Sequence, residues 1–289
     1  WGDRLARVFV RVAKGQDSPD GLRDTLMWMM KPLAEVYGQD HDETTPGKLL
    51  TGLIHRAQEK TGRQVAVIID EYDVPLLDVL HSQSTLDGMR KVMQEFYVPL
   101  KANERYVKFC FITGITKFSQ LSIFSTINNL LNVSLDENFA TLCGFTEQEL
   151  RTTLWSDVER LASAIKISPE EMHARLKQQY DGYHFAGDAP EVYNPFSLLN
   201  CFVQRKLSNY WFASGTPTFL IKQMQHFHTD ITSLDSLEVP ASAFDQPTEN
   251  MPDALPLLYQ SGYLTIKDYD AEGEIYLLSI PNQEVRVGY

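Results

Sequence analysis

Cysteine is scarce in this chain. The 289 residues hold Cys110, Cys143 and Cys201, an odd number with no CxxC spacing, so neither a disulfide framework nor a zinc site is indicated and a reducing cytoplasm is the expected setting. Positive charge is also in short supply: 26 Lys and Arg face 38 Asp and Glu, for a net charge of -12. Broad attraction to nucleic acid or to an anionic membrane needs an excess of cations at the contact surface, so neither partner is supported by this balance. Long apolar runs are missing, and none approaches the roughly 20 residues that span a bilayer. The opening residues Trp1 to Arg11 carry charges throughout, unlike a secretory signal. No internal repeat or low-complexity tract occurs, and ordinary hydrophobic (43%) and charged (22%) fractions argue against global disorder. The absent initiator Met and the abrupt end after Arg286 are what a fragment of something longer would have; a trimmed chain would look the same.

What is present alternates strands with helices in the first half. Arg7 to Val12 alternates apolar and charged residues, which reads as an exposed or edge strand. A helix is expected over Asp20 to Tyr37, stopped by Gly38 and kinked at Pro32. A second runs from Pro46 to Lys60 with Thr45 as N-cap and Gly62 beyond its end. Val65 to Asp73 (VAVIIDEYD) brings five apolar residues straight into acidic ones, the signature of a strand buried on both faces of a parallel sheet. Helical spacing from Leu86 to Lys101 leads to a second strand, Val107 to Thr113, and a shorter strand is expected over Leu131 to Leu135.

Beyond about Glu137 the pattern turns helical. Thr146 with Glu149, and Ser168 with Pro169 and Glu171, match the capping box, while Asn194-Pro195 and Thr216-Pro217 repeat the start signal. Gly262 to Lys267 and Glu274 to Ile280 read as a hairpin turned at Gly273. The expectation is an α/β region at 1–136, followed at 137–289 by a helical lid and a helix-plus-hairpin, winged-helix-like module.

The sharpest chemical feature is the strand ending in Asp70-Glu71. A carboxylate at the C-terminal end of a central parallel strand faces the crevice where open α/β sheets bind ligands. In ATPases an Asp there serves the magnesium ion and a following Glu can orient the attacking water. Equally, many strands end in an acid that caps the next helix or meets solvent. Thr113, closing the second strand, stands where such enzymes place a polar residue facing the terminal phosphate; read locally, Thr113-Gly114 is a strand-ending turn.

IIDEYDVPLLD, FITGITKFSQLSIFSTINNL, CGFTEQEL, YDGYHF, VYNPFSLL, NYWFASGTPTFL, LLYQSGYLTI and PNQEVR follow one another in this order. The series, from about Val65 to Arg286, resembles the bacterial AAA-ATPase-like family, and RVFVRV resembles its preceding strand. The resemblance implies a partial P-loop NTPase three-layer sandwich, ATP and Mg2+ as ligands, and frequently a nuclease-like domain of the PD-(D/E)XK type further along. It implies Asp70 as the Walker B magnesium ligand, directly or through water, Glu71 as catalytic carboxylate and Thr113 as sensor. Asp73 completes the DEYD signature, with a basic residue of the phosphate loop missing from this sequence as its expected partner; Lys117, Asn128 and Asn129 sit in family-typical segments without an assignable role.

One part of the pattern is missing. The phosphate-cradling GxxxxGK[ST] does not occur, because Gly47-Lys48 is followed by Leu49 and preceded, five residues before Gly47, by Asp42. The chain is therefore expected to be an incomplete ATPase, inactive alone and of poor stability, with a gap beside the Val107 to Thr113 strand. Two readings stay open: a nucleotide-driven module controlling an attached effector, and a non-hydrolysing scaffold or nucleic-acid unit using the C-terminal region.

Other features read as structure. His226 and His228 cannot share a helix face as metal ligands. Tyr180, Tyr183, Tyr193, Tyr210 and Trp211 are expected to pack rather than to stack bases. Cys110 behaves as a small hydrophobe. His184 has no nucleophile beside it in sequence. Arg90 and Arg105 are candidates for an arginine finger by charge and location.

Overall fold

The computed structural model describes residues 6–11, 18–77, 79–80, 82–117, 124, 130–213, 218–230, 234–248 and 251–288, with backbone alone at 6–11, 212–213 and 218–219. Asn128, Asn129 and the Thr216-Pro217 start signal lie outside the described residues. The chain forms two compact units, residues 1–130 with 247–250, and residues 131–246 with 251–289. Among the described residues no helix is long and apolar enough to cross a membrane.

In unit 1 three strands, β1 (Ala6–Arg11), β2 (Val65–Asp70) and β3 (Val107–Ile112), form a parallel sheet in that order. Helices α1 (Pro19–Tyr37), α2 (Pro46–Thr61) and α4 (Gln83–Ala102) pack on one another, and the short α3 (Val74–Leu77) leads out of the turn after β2. The helix limits follow from local chemistry. Thr45 Oγ1 accepts the Lys48 N–H (3.4 Å), and beyond α2 Gly62 takes φ +65°, its N–H closing on Gln58 O (2.7 Å), a left-handed cap that favours glycine. The first helix runs on through Pro32.

The two faces of this sheet differ. Val65, Val67 and Ile69 are fully buried, as is Tyr97 of α4, which lies near Cys110, the register partner of Val67. The helices therefore cover this face. The opposite face carries Ala66 and Ile68 in register with Phe109 and Phe111. Phe109 is 53% exposed and stacks on Phe111 at 6.0 Å. The strand expected to be buried on both faces is thus closed on one and half-open on the other.

Unit 2 is mainly helical: α5 (Glu147–Thr152), α6 (Trp155–Ile165), α7 (Pro169–Tyr180), α8 (Pro195–Gln204), α9 (Tyr210–Ala213), α10 (Thr218–His226), α11 (Ala241–Phe244), α12 (Leu255–Gln260) and α13 (Gln283–Gly288). The two-residue strands β4 (Phe145–Thr146) and β5 (Val192–Tyr193) pair antiparallel. The strands β6 (Leu237–Pro240), β7 (Thr265–Asp270) and β8 (Ile275–Ser279) make an antiparallel sheet in the order β6-β8-β7. The expected hairpin is present, joined by a third strand that sequence pattern did not reveal.

Both expected helix starts form, with one difference. Thr146 and Glu149 close a full capping box, whereas Ser168 caps α7 through the Glu171 N–H (3.1 Å) while the Glu171 carboxylate turns to Arg175 (2.6 Å). The strand expected over Leu131 to Leu135 does not form. Asn132 Oδ1 instead accepts the Ser134 N–H (3.1 Å), and that local turn competes with extension.

Candidate functional site

The C-terminal ends of β2 and β3 lie side by side, so the residue ending each strand meets its neighbour on one sheet face. Asp70 continues the alternation of Ala66 and Ile68, and Thr113 that of Phe109 and Phe111. The Thr113 hydroxyl donates to Asp70 Oδ1 at 2.6 Å. Backbone bonds carry the ladder one step further, with Thr113 N–H to Ile69 O at 2.9 Å and Tyr72 N–H to Thr113 O at 3.0 Å.

Glu71 leaves the strand abruptly. Its φ is +57°, a left-handed conformation that is costly for a residue with a Cβ, and its N–H donates to Asp70 Oδ1 at 3.0 Å. Asp70 Oδ1 thus accepts two bonds, while Oδ2 accepts none among the described residues, and the side chain is half-buried.

The Asp73 carboxylate is fully buried and accepts the Ile115 N–H (3.1 Å), the Thr116 N–H (2.6 Å) and the Thr116 hydroxyl (2.7 Å). Burial pushes the carboxyl above its ordinary range, and the bonds from Thr116 and Ile115 oppose that shift. The Tyr72 hydroxyl donates to Thr116 O (3.0 Å), and Lys117 O accepts both the N–H and the hydroxyl of Thr248 (2.7 and 3.0 Å). Neither Tyr72 nor Thr116 was singled out by sequence, and only their place inside the segments around DEYD and TGITK could have drawn attention to them.

Two arginines are further candidates. Arg105 precedes β3, so it lies at the opposite end of the strand from Thr113, on the order of 20 Å away at the rise of an extended chain. Its guanidinium sits over the Tyr106 ring. Arg90 pairs with Asp87 on α4. Burial raises the Cys110 thiol to about 11, which keeps it protonated and unreactive.

In unit 2, Tyr180, Tyr193 and Tyr210 belong to one buried cluster and Tyr183 to another. Two of their hydroxyls meet protein groups: Tyr180 OH donates to Ser208 O (2.7 Å) and Tyr193 OH to Glu147 (2.8 Å). The Trp211 ring packs on Tyr263, and the Trp211 backbone N–H donates to Glu284 Oε1 (3.0 Å). These rings are packing elements, as expected. His184 is buried, its backbone exchanging bonds with the Thr265 hydroxyl. No group of three or more His, Cys, Asp or Glu suited to a metal occurs among the described residues.

Similarity to known proteins falls on this geometry. Residues 8–124, spanning β1 to the segment after β3, match a family described as predicted AAA-ATPase. An uncharacterized protein from the vnfD 5' region of Azotobacter chroococcum mcd 1 is 34% identical over 242 residues, covering 81% of this chain and 43% of that relative. The chain therefore spans less than half the length of the curated relative it matches. Asp70, Glu71, Asp73 and Thr113 all lie within the stretch that is similar to the AAA-ATPase-like family.

Proposed function

We propose that unit 1 is the Walker B and sensor portion of an ATP-hydrolysing module that controls an attached effector, with the helical region after Glu137 acting as its lid. The reading is carried by one observation: the 2.6 Å contact between Thr113 and Asp70 across neighbouring parallel strand ends. Asp70 is the magnesium ligand in this reading. A single carboxylate with one unengaged oxygen suits that ion, which is held by one or two carboxylates plus phosphates and waters rather than by a protein cage. Asp70 would hold the ion there, and the chemistry it would supply is neutralisation of phosphate charge. Glu71, thrown off the strand by its left-handed backbone, orients the attacking water, and Thr113 senses the terminal phosphate.

The phosphate cradle is supplied by polypeptide outside these 289 residues. The β3 edge, with Phe109 exposed on the sheet face beside it, is where its strand and helix would complete a three-layer sandwich. Magnesium-dependent ATP binding and turnover in a protein extended upstream of Trp1 test the reading. Glu71→Gln is expected to lower turnover by about 100-fold or more while calorimetric binding persists. Equal loss of both removes the role of Glu71, and no binding by the extended protein removes the ATPase reading.

The strand order β6-β8-β7, with α11 and α12 between β6 and β7, favours a second reading as a winged-helix-like module. Its hairpin carries Asp268, Asp270, Glu272 and Glu274 against Lys267, whose ammonium is engaged by Glu191, Gly182 O and Pro281 O. Such a wing repels phosphate backbones, so this module would contact protein rather than nucleic acid.

A further inference from the structure

Asp73 has no part in the ATPase roles just described, yet it is the most enclosed carboxylate among the described residues of unit 1. Its bonds to Ile115 and Thr116 reach 42 and 43 residues along the chain and join the turn after β2 to the loop after β3. All three donors converge on acceptor oxygens. An amide in this place would turn an NH2 group on one of them. Gly114 marks how closely the two segments pass: a Cβ there would lie 2.4 Å from Asp73 Oδ1 and 2.6 Å from the Tyr72 ring. The loop is fixed on its far side as well, where Thr248 holds Lys117 O. Thr113 stands immediately before this clamped stretch.

We propose that Asp73 is a positioning residue, which seats the loop after β3 so that the Thr113 hydroxyl is held against Asp70; the proposal rests on the ATPase reading of that pair. The ladder bonds at Thr113 fix the end of the strand. The direction in which the chain leaves it, and with it the seat of the hydroxyl, is set by Asp73. A displacement of about 1 Å at such a point costs turnover far more than it costs binding.

The test compares steady-state Mg-ATP hydrolysis and calorimetric Mg-ATP affinity in the full-length protein for Asp73→Asn, Thr116→Val and Thr116→Ser. Asp73→Asn is expected to lower kcat by roughly 10- to 100-fold with Kd changed by less than about threefold. Thr116→Val shifts kcat the same way to a smaller extent, and Thr116→Ser, which keeps the hydroxyl donor, restores it. A merely structural role would lower the active fraction and move binding and turnover together, and that result overturns the proposal. So does kcat within about twofold of wild type in both Asp73→Asn and Thr116→Val, which leaves the ATPase reading intact. Wild-type protein without Mg-ATP turnover removes the ATPase reading and the proposal with it. Should Asp73→Asn not fold, the Val and Ser variants at Thr116 decide the matter alone.

Discussion

Among the described residues, unit 1 interlocks buried polar groups at the ends of two strands, whereas unit 2 buries polar groups beside its apolar clusters and leaves several unsatisfied. In unit 1, Asp73, Thr116 and Tyr72 are interlocked, while the Tyr97 hydroxyl is fully buried with no partner among the described residues. In unit 2, the Tyr183 hydroxyl, His184 Nε2, Asn282 Nδ2, Asp181 Oδ1 and Glu284 Oε2 are buried without an aligned bond. Burial raises the Glu284 carboxyl, against the pull of the Trp211 N–H and of Ser197 nearby. Unsatisfied groups of this kind cost about 1 to 3 kcal/mol each unless ordered water meets them. The difference separates polar groups that fix a geometry from polar groups that the fold merely tolerates.

Glycine substitutions probe that difference most strongly. Gly114→Ala brings a Cβ to 2.4 Å from Asp73 Oδ1, and Gly144→Ala brings one to 2.2 Å from Val192 Cγ2. Each is expected to cost about 1 to 3 kcal/mol in urea denaturation. Only Gly114→Ala should also depress Mg-ATP turnover in the full-length protein beyond its loss of folded fraction; an equal effect from Gly144→Ala would break the contrast.

Next come two tyrosines. Tyr180 OH donates to Ser208 O and accepts the Ser208 N–H, so Tyr180→Phe should cost about 1 to 2 kcal/mol. Tyr97→Phe removes a hydroxyl that has no partner and should be neutral or slightly stabilising. Melting temperatures that fall equally in the two variants would contradict the account of Tyr97.

The smallest effect belongs to the surface of unit 2. Arg286 holds the Asp235 carboxyl below its ordinary value, chiefly by hydrogen bonding. A depressed carboxyl binds fewer protons folded than unfolded. Its stabilisation is therefore present above the ordinary Asp range near pH 4 and is lost as pH falls through the depressed value. Both side chains are close to half exposed, so solvent screening keeps the contribution under about 1 kcal/mol. Arg286→Ala should flatten the acid limb of the stability profile, and an unchanged limb would show that the pair contributes nothing.

Local chemistry made much of the architecture legible. The Thr45 and Gly62 caps, the Thr146–Glu149 box and the five apolar residues of β2 each act within a few positions of themselves, so their outcome is readable where they stand. Short strands were not legible. β4, β5 and β6 owe their existence to partners 40 or so residues away, such as Leu237 with Leu278, and the Leu131 to Leu135 segment, which has no such partner among the described residues, turns instead.

The same division holds at the candidate site. The sequence by itself determined that a buried strand ends in Asp70-Glu71 and that a second ends in Thr113, because alternation and burial are properties of consecutive residues. Only the tertiary structure decided that the two ends are neighbours, that Glu71 turns into a left-handed conformation, and that Asp73 faces inward to hold Ile115 and Thr116. Those outcomes depend on parallel register between strands about 40 residues apart. Register is fixed by packing of whole faces, which no local pattern encodes.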